Sequence, residues 1–279
     1  MNSIWLTCVV IDVTRIKIER RPLNNGSAKM TTLSTLKFPV LIAHRGYKAR
    51  YPENTLAAFE AALDSGAEMI ELDITLSQDR SMVVIHDDTL NRTSNGKGAV
   101  RDYSITELKK FDAGNWFDDR FSDEKIPTLV EVLKQVNRRA VVNIEIKSSA
   151  FEDPAPADAI ENQVIALIQK MNLLDCVLIS SFEKRFLERI AAIEPTLALG
   201  VISWEPADAA TVKMLKKLGV YSWHAWHKIL TAEQVEFLHA ANLKVFSFTV
   251  NEPDIFQRLS EMSIDGVFTD DGPALTTHS

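Results

Sequence analysis

The spacing of β-branched runs limits what this chain can fold into more than any other feature. Nine runs follow one another from Pro39 onward: VLIAH (40–44), MIELDITL (69–76), MVVIHD (82–87), AVVNIEIK (140–147), VLISS (177–181), LALGVIS (197–203), VYSWHA (220–225), KVFSFTV (244–250) and GVFTD (266–270). Most are separated by amphipathic stretches of helix length. In NTLAAFEAALDSG, for example, Leu56, Phe59, Ala62 and Leu63 share one face and Gly66 is the stop. Strand and helix alternating in this way imply parallel pairing and an α/β fold. One link breaks the pattern. Leu76 and Met82 are too close for a crossover helix, because parallel strands need about a dozen linking residues or more. The run 82–87 is therefore expected to return antiparallel through a turn at Gln78, Asp79, Arg80 and Ser81. Eight parallel strands remain, the number that closes a (β/α)8 TIM barrel within its usual ~250 residues, with GVFTD beside the first strand. A doubly wound open sheet is the rival, but its Gly-rich phosphate fingerprint is missing after the first strand.

Two segments stand outside the alternation. Residues 1–37 hold one strand-like stretch, VVIDVTRIKIERRP, then the polar LNNGSAKM, and read as a loosely ordered N-terminal extension to a barrel domain at 38–279. Residues 88–127 interrupt the barrel after the third run. Their Asn/Gly-rich start and single helix-like ITELKKF predict a small lobe over the mouth rather than a second domain.

Composition narrows the function. At 279 residues and 46% hydrophobic, the chain can bury one large core. Lys and Arg number 31 against 38 Asp and Glu, a formal charge of −7, and no basic block occurs, so neither nucleic acid nor an anionic membrane is an expected partner. Two cysteines, Cys8 and Cys176, fit neither a disulfide framework nor a zinc site and suggest a reduced compartment. The run IWLTCVVI lacks the basic flank and cleavage site of a signal peptide, and no stretch approaches the ~18 apolar residues of a membrane span. A cytoplasmic protein with a small-molecule substrate is the expectation.

Barrel enzymes place their chemistry at the C-terminal ends of the strands. Those ends hold His44 and Arg45, Glu71 and Asp73, His86, and Glu145 and Lys147. Glu71 and Asp73 are two apart on one strand and so share a face, and the hairpin is expected to set His86 roughly opposite Asp73. Glu145 and Lys147 repeat the spacing. Pairing with a rim Lys or Arg would explain any one carboxylate, but the combination with two strand-end histidines favours a cation. An all-oxygen donor set suits a hard ion better than zinc: Mg2+ first, with Ca2+ or Mn2+ also compatible. The histidines supply a proton donor and acceptor near neutral pH. With Arg45 and Lys147 beside them they describe an anionic substrate that accepts charge while protons move at two oxygens, which is phosphodiester cleavage.

The same residues carry a family resemblance. AHRG, PENTLAAFEAA, GAEMIELDITLSQD, VVIHDDTLNRTSNGKG, FDAGNWF, IPTLVEVL, NIEIK, SSF and FTVNEP, in this order over about 39–272, resemble the glycerophosphodiester phosphodiesterase family, and HAWHKIL resembles its bacterial cytosolic type. The resemblance implies a (β/α)8 barrel with an insertion after the HD motif, a divalent metal, and hydrolysis of glycerophosphodiesters to glycerol 3-phosphate and an alcohol. Carried over by position, the metal carboxylates are Glu71, Asp73 and Glu145, the acid/base histidines His44 and His86, and the phosphate-neutralising cations Arg45 and Lys147. Where Phe248 stands the family commonly has Trp, so an aromatic wall is kept without an indole N–H. His224 is placed within reach of the substrate, His227 at the start of the next helix, and Thr55 or Asn54 at a helix cap, with Asn54 also a candidate brace for His44. Three rivals share these features: a lyase that stops at a cyclic phosphate, an enolase-like metal enzyme, and a non-catalytic phosphodiester-binding barrel. The histidine pair and the return hairpin argue against the enolase-like enzyme.

Overall fold

The computed structural model describes residues 30–276 of the 279. Its strands are β1 (Val40–Ala43), β2 (Met69–Leu76), β3 (Met82–Val84), β4 (Val141–Ile146), β5 (Val177–Ser181), β6 (Ala198–Ser203), β7 (Ser222–Trp226), β8 (Lys244–Phe248) and β9 (Gly266–Thr269). The helices are α1 (Leu56–Asp64), α2 (Ile105–Leu108), α3 (Leu129–Val136), α4 (Ile160–Met171), α5 (Lys184–Ile193), α6 (Ala209–Lys217), α7 (Ala232–His239), α8 (Pro253–Glu261) and α9 (Gly272–Thr276). Eight strands, β1, β2 and β4 to β9, are parallel and successive neighbours. β9 then pairs with β1, Val40 opposite Gly266 and Ala43 opposite Thr269, which closes the barrel. No described helix is long and apolar enough to cross a membrane.

The return strand is present, and its register differs from the expected one. Ile74 pairs with Val84 and Leu76 with Met82, and the Ile85 N–H donates to the Asp73 carbonyl at 3.0 Å. Ile85 therefore sits where His86 was expected. The turn sets this: the Ser77 N–H donates to the Ser81 carbonyl, the Ser77 hydroxyl to Asp79, and Arg80 takes a left-handed φ of 60°. The strand itself stops at Val84, so His86 reaches the mouth from a loop.

The alternation of side chains builds two cores. Inward residues of the lower barrel, Ile42, Met69, Val141, Leu178 and Phe246, pack with Phe268, and Leu36 joins them. Outward residues such as Ile70, Leu72 and Ile74 pack against the helices, including Phe59 of α1 and Leu129, Val132, Leu133 and Val136 of α3. Each fully buried side chain of this size contributes about 1.5–3 kcal/mol. α3 starts at a reciprocal cap, the Thr128 hydroxyl accepting from the Glu131 N–H while Glu131 accepts from the Thr128 N–H, and stops where Asn137 turns left-handed at φ 45°.

Of the segment assigned to a loose extension, the strand-like stretch lies outside the described residues. From Met30 the chain is tied to the barrel: the Thr31 and Leu33 N–H groups donate to the Arg138 and Asp175 carbonyls at 2.9 Å. The stretch after β3 forms a lobe with its own small core of Val83, Ile85, Leu90, Val100, Leu108, Ala113 and Ile126.

Candidate active site

The polar end of β1 explains itself at the mouth. The His44 N–H extends the β1–β9 pairing by donating to the Thr269 carbonyl at 3.0 Å. The chain then turns sharply, with φ of 58° at Arg45 and 83° at Gly46. A Cβ on Gly46 would lie 2.7 Å from the backbone of Ala58, so only glycine lets the turn approach α1. This turn aims the Arg45 backbone N–H at Glu71 Oε2, 2.9 Å away. It also brings the Arg45 guanidinium to Glu53 at 2.8 Å and to within 3.3 Å of Asp73.

Glu71, Asp73 and Glu145 meet as expected. Each offers an oxygen, and the three oxygens lie within 4.8 Å of one another, as a single cation would require. The register accounts for the grouping, since Glu71 pairs with Asn143 and Asp73 with Glu145. Lys147 Nζ is 3.0 Å from Glu145 and 3.5 Å from Asp73. Asn54 does not brace His44. Its side-chain amide donates to Asp73 Oδ2 at 2.9 Å, and its oxygen accepts the Asp73 N–H at 3.4 Å. Thr55 caps α1 by accepting from the Ala58 N–H.

Both histidines face a carboxylate through Nδ1, His44 with Asp270 and His86 with Asp87, each at 2.7 Å. A carboxylate only accepts, so in the neutral ring Nδ1 carries the hydrogen and Nε2 is left with its lone pair. Asp270 is itself held by Lys48 at 3.2 Å and Asn251 at 3.0 Å. Asp87 is held by Arg92, which also grips Glu53 with two bonds of 2.8 Å.

Charge and burial tune these groups in opposite directions. Burial, with the charges of Asp73 and Glu145, drives Glu71 well above the carboxylate range. Burial and Asp73 push Glu145 up to about 7 against the pull of Lys147. Burial would raise Asp73 too, but Arg45, Lys147 and His86 outweigh it and hold it at about 2. Burial takes His44 down from 6.5 to about 4, aided by Arg45 and Lys48 and opposed by Asp270. His86 is lowered for the same first reason, with Asp73 opposing. Two of the three carboxylates are thus short of positive charge, so the cluster could hold a cation.

A cavity of about 290 Å3 is lined by His44, Arg45, Glu71, His86 and Glu145 on one side and by Phe182, Ile202, Trp204, Phe248 and Phe268 on the other. His224 and Asn143 line it as well. His224 is fully buried, shares a 2.8 Å hydrogen bond between Nε2 and Ser222, and keeps Nδ1 unpartnered. Burial alone takes its pKa down to about 3. His227 does not cap α7, whose cap is Thr231.

Sequence reasoning missed Asp270, Asp87, Glu53, Arg92, Phe182 and Trp204. Asp87 adjoins His86, and Asp270 ends the run expected beside the first strand, so both could have been found. Phe182 and Trp204 each follow an inward strand residue by two.

Comparison with known proteins gives the family and the fold. Residues 44–272 match the model of the glycerophosphoryl diester phosphodiesterase family. A glycerophosphodiester phosphodiesterase of Caldanaerobacter subterraneus is 38% identical over 85% of this chain and 96% of its own length. One of Bacillus altitudinis is 39% identical over 82% and 94%. Among solved structures, an Oleispira antarctica phosphodiesterase in complex with the product sn-glycerol-3-phosphate superposes with a TM-score of 0.75 at 30% identity, covering 86% of this chain and 96% of that one. A glycerophosphodiester phosphodiesterase of Agrobacterium tumefaciens gives 0.73 at 28%, covering 86% and 99%.

Proposed function

The chain belongs to the glycerophosphoryl diester phosphodiesterase family, and from that premise we propose how its residues cleave the substrate. It is a glycerophosphodiester phosphodiesterase, and the reaction is hydrolysis to sn-glycerol 3-phosphate and an alcohol. The observation that carries the residue assignment is the pairing of two carboxylate-held histidines with a carboxylate cluster on one cavity.

Glu71, Asp73 and Glu145 fit a divalent cation, because they offer three oxygens in reach of one point and because burial leaves two of them undercompensated. The donor set suits Mg2+ first, and Ca2+ or Mn2+ after it. Held there, such an ion would supply Lewis-acid stabilisation of charge on the phosphate and its attacking oxygen. Arg45 and Lys147 hold the charge that builds on the phosphate oxygens.

His44 and His86 move the protons. One accepts at Nε2 from the attacking hydroxyl, whether of the substrate's glycerol or of water, and the other donates from Nε2 to the leaving alcohol oxygen. Asp270 and Asp87 keep Nδ1 protonated, so each ring turns the correct nitrogen to the substrate and its imidazolium is stabilised when formed. His224 lines the floor of the cavity on the substrate side, and Phe248 supplies a wall. We place this activity in the cytoplasm and in the breakdown of lipid-derived diesters, on the cysteine argument and the substrate class.

The test is release of glycerol 3-phosphate from glycerophosphocholine with Mg2+ or Ca2+, and with chelator. Turnover that chelator abolishes is expected. Phosphorus NMR separates the monoester from a cyclic phosphate, and a cyclic end product would make the enzyme a lyase.

A further inference from the structure

The mouth of the barrel is divided. Strands β1 to β4 contribute its charged groups, whereas the next four end in rings: Phe182 after β5, Trp204 after β6, Trp226 closing β7 and Phe248 closing β8. Phe182 and Trp204 are nearly parallel, with centroids 5.6 Å apart and planes at 16°. Phe248 stands at 82° to both, 6.2 Å from Phe182 and 5.0 Å from Trp204. The three rings form a right-angled corner and line the cavity that holds His44 and His86. Trp204 keeps 55% of its surface exposed, so packing does not account for its position.

A phosphate held on the charged half leaves a substituent to lie on the aromatic half. Perpendicular rings present π-electron density from two directions, which suits a soft, weakly hydrated cation. The cluster already holds one ammonium, with Lys228 Nζ 5.0 Å over the Trp226 ring. A cavity of about 290 Å3 accommodates a compact head group rather than a long acyl chain.

We propose that this corner selects the leaving alcohol, favouring a quaternary ammonium such as the choline of glycerophosphocholine, with Trp204 and Phe248 as specificity-determining residues. The assignment rests on the hydrolase reading. Its test compares kcat/KM for glycerophosphocholine with that for the neutral isostere, in which a tert-butyl group replaces trimethylammonium, in the wild type, Trp204→Phe and Trp204→Leu. The wild type is expected to prefer the cation by about tenfold, the range of a partly desolvated cation–π contact. The preference should survive largely in Trp204→Phe and vanish in Trp204→Leu, which keeps apolar bulk without a ring. Equal rates on the two esters in the wild type, or an unmoved ratio in Trp204→Leu, overturns the proposal. A choline titration followed by tryptophan fluorescence reads the corner without turnover. Saturable quenching that Trp204→Leu loses supports the proposal even for a protein that hydrolyses nothing, and no saturable response in the wild type overturns it. Absence of turnover on every glycerophosphodiester, by contrast, sinks the hydrolase reading.

Discussion

Asn54 meets Asp73 twice, donating from its amide to the Asp73 carboxylate at 2.9 Å and accepting the Asp73 N–H at 3.4 Å, while its own backbone sits left-handed at φ 57°. One residue thus satisfies a turn and a buried carboxylate. Asn54→Ala loses both bonds and strains the turn, so we expect a loss of about 2–4 kcal/mol and weaker metal binding. Chemical denaturation and a metal titration check this; unchanged values in both would show that the contact holds nothing in place.

His44→Ala and His86→Ala should each lower kcat by about 10²–10⁴ with circular dichroism unchanged. Asp270→Asn and Asp87→Asn keep shape but lose the charge that fixes the ring, and are expected to lose about 10–100-fold. Steady-state kinetics decides, and a full rate in either histidine variant removes that residue from proton transfer.

The raised pKa of Glu145 fixes a sign. A carboxyl at about 7 in the folded protein and 4.5 in the unfolded chain stabilises the fold below about 4.5, and that contribution is lost as pH rises through about 7. A divalent cation needs the carboxylate form and opposes the loss. The rise in melting temperature on adding Mg2+ should therefore grow as pH rises from 4.5 to 7. A shift independent of pH would place the cation elsewhere.

His224 and His44 act in the other direction. Both are held below the ordinary 6.5, at about 3 and about 4, so the unfolded chain binds protons that the folded one refuses. Their contribution is present above about 6.5 and lost as pH falls, at up to about 1.4 kcal/mol per pH unit for each histidine. Urea melts of the wild type and His224→Gln from pH 7 to 4.5 should give a shallower loss in the variant, and parallel slopes would refute the assignment.

Gly200→Ala would put a Cβ 2.6 Å from His224 Nε2 and 3.0 Å from the Ser222 hydroxyl. The imidazole has no slack in this floor. About 1–3 kcal/mol of stability should be lost, along with substrate affinity, and a neutral outcome in thermal melts would mean the floor is softer than its packing suggests.

Much of this was legible because a two-residue period and a minimum crossover length are written in the chain. The nine runs, the return hairpin and the closure of GVFTD against VLIAH all follow from those two rules, and so does the meeting of Glu71, Asp73 and Glu145. The register of the hairpin did not follow, because it depends on how Ser77, Asp79 and Ser81 hydrogen-bond within the turn, which residue types alone do not fix. As a helix-start residue Asn54 is a candidate cap and a candidate brace for His44, but from its left-handed backbone the side chain meets Asp73 instead. The aromatic corner went unread beyond Phe248 because Phe182 and Trp204 lie just past their strands, where inward parity continues but run counting stops.

His44 and Asp270 lie 226 residues apart in sequence, yet they share one hydrogen bond across the seam where the barrel closes. The carboxylate that holds the His44 Nδ1 therefore stands just past the last strand of the barrel. The carboxylate cluster draws on β2 and β4 alone, whereas this imidazole meets its partner only where β9 pairs with β1. A barrel cut short before β9 would keep Glu71, Asp73 and Glu145 but lose the partner of His44.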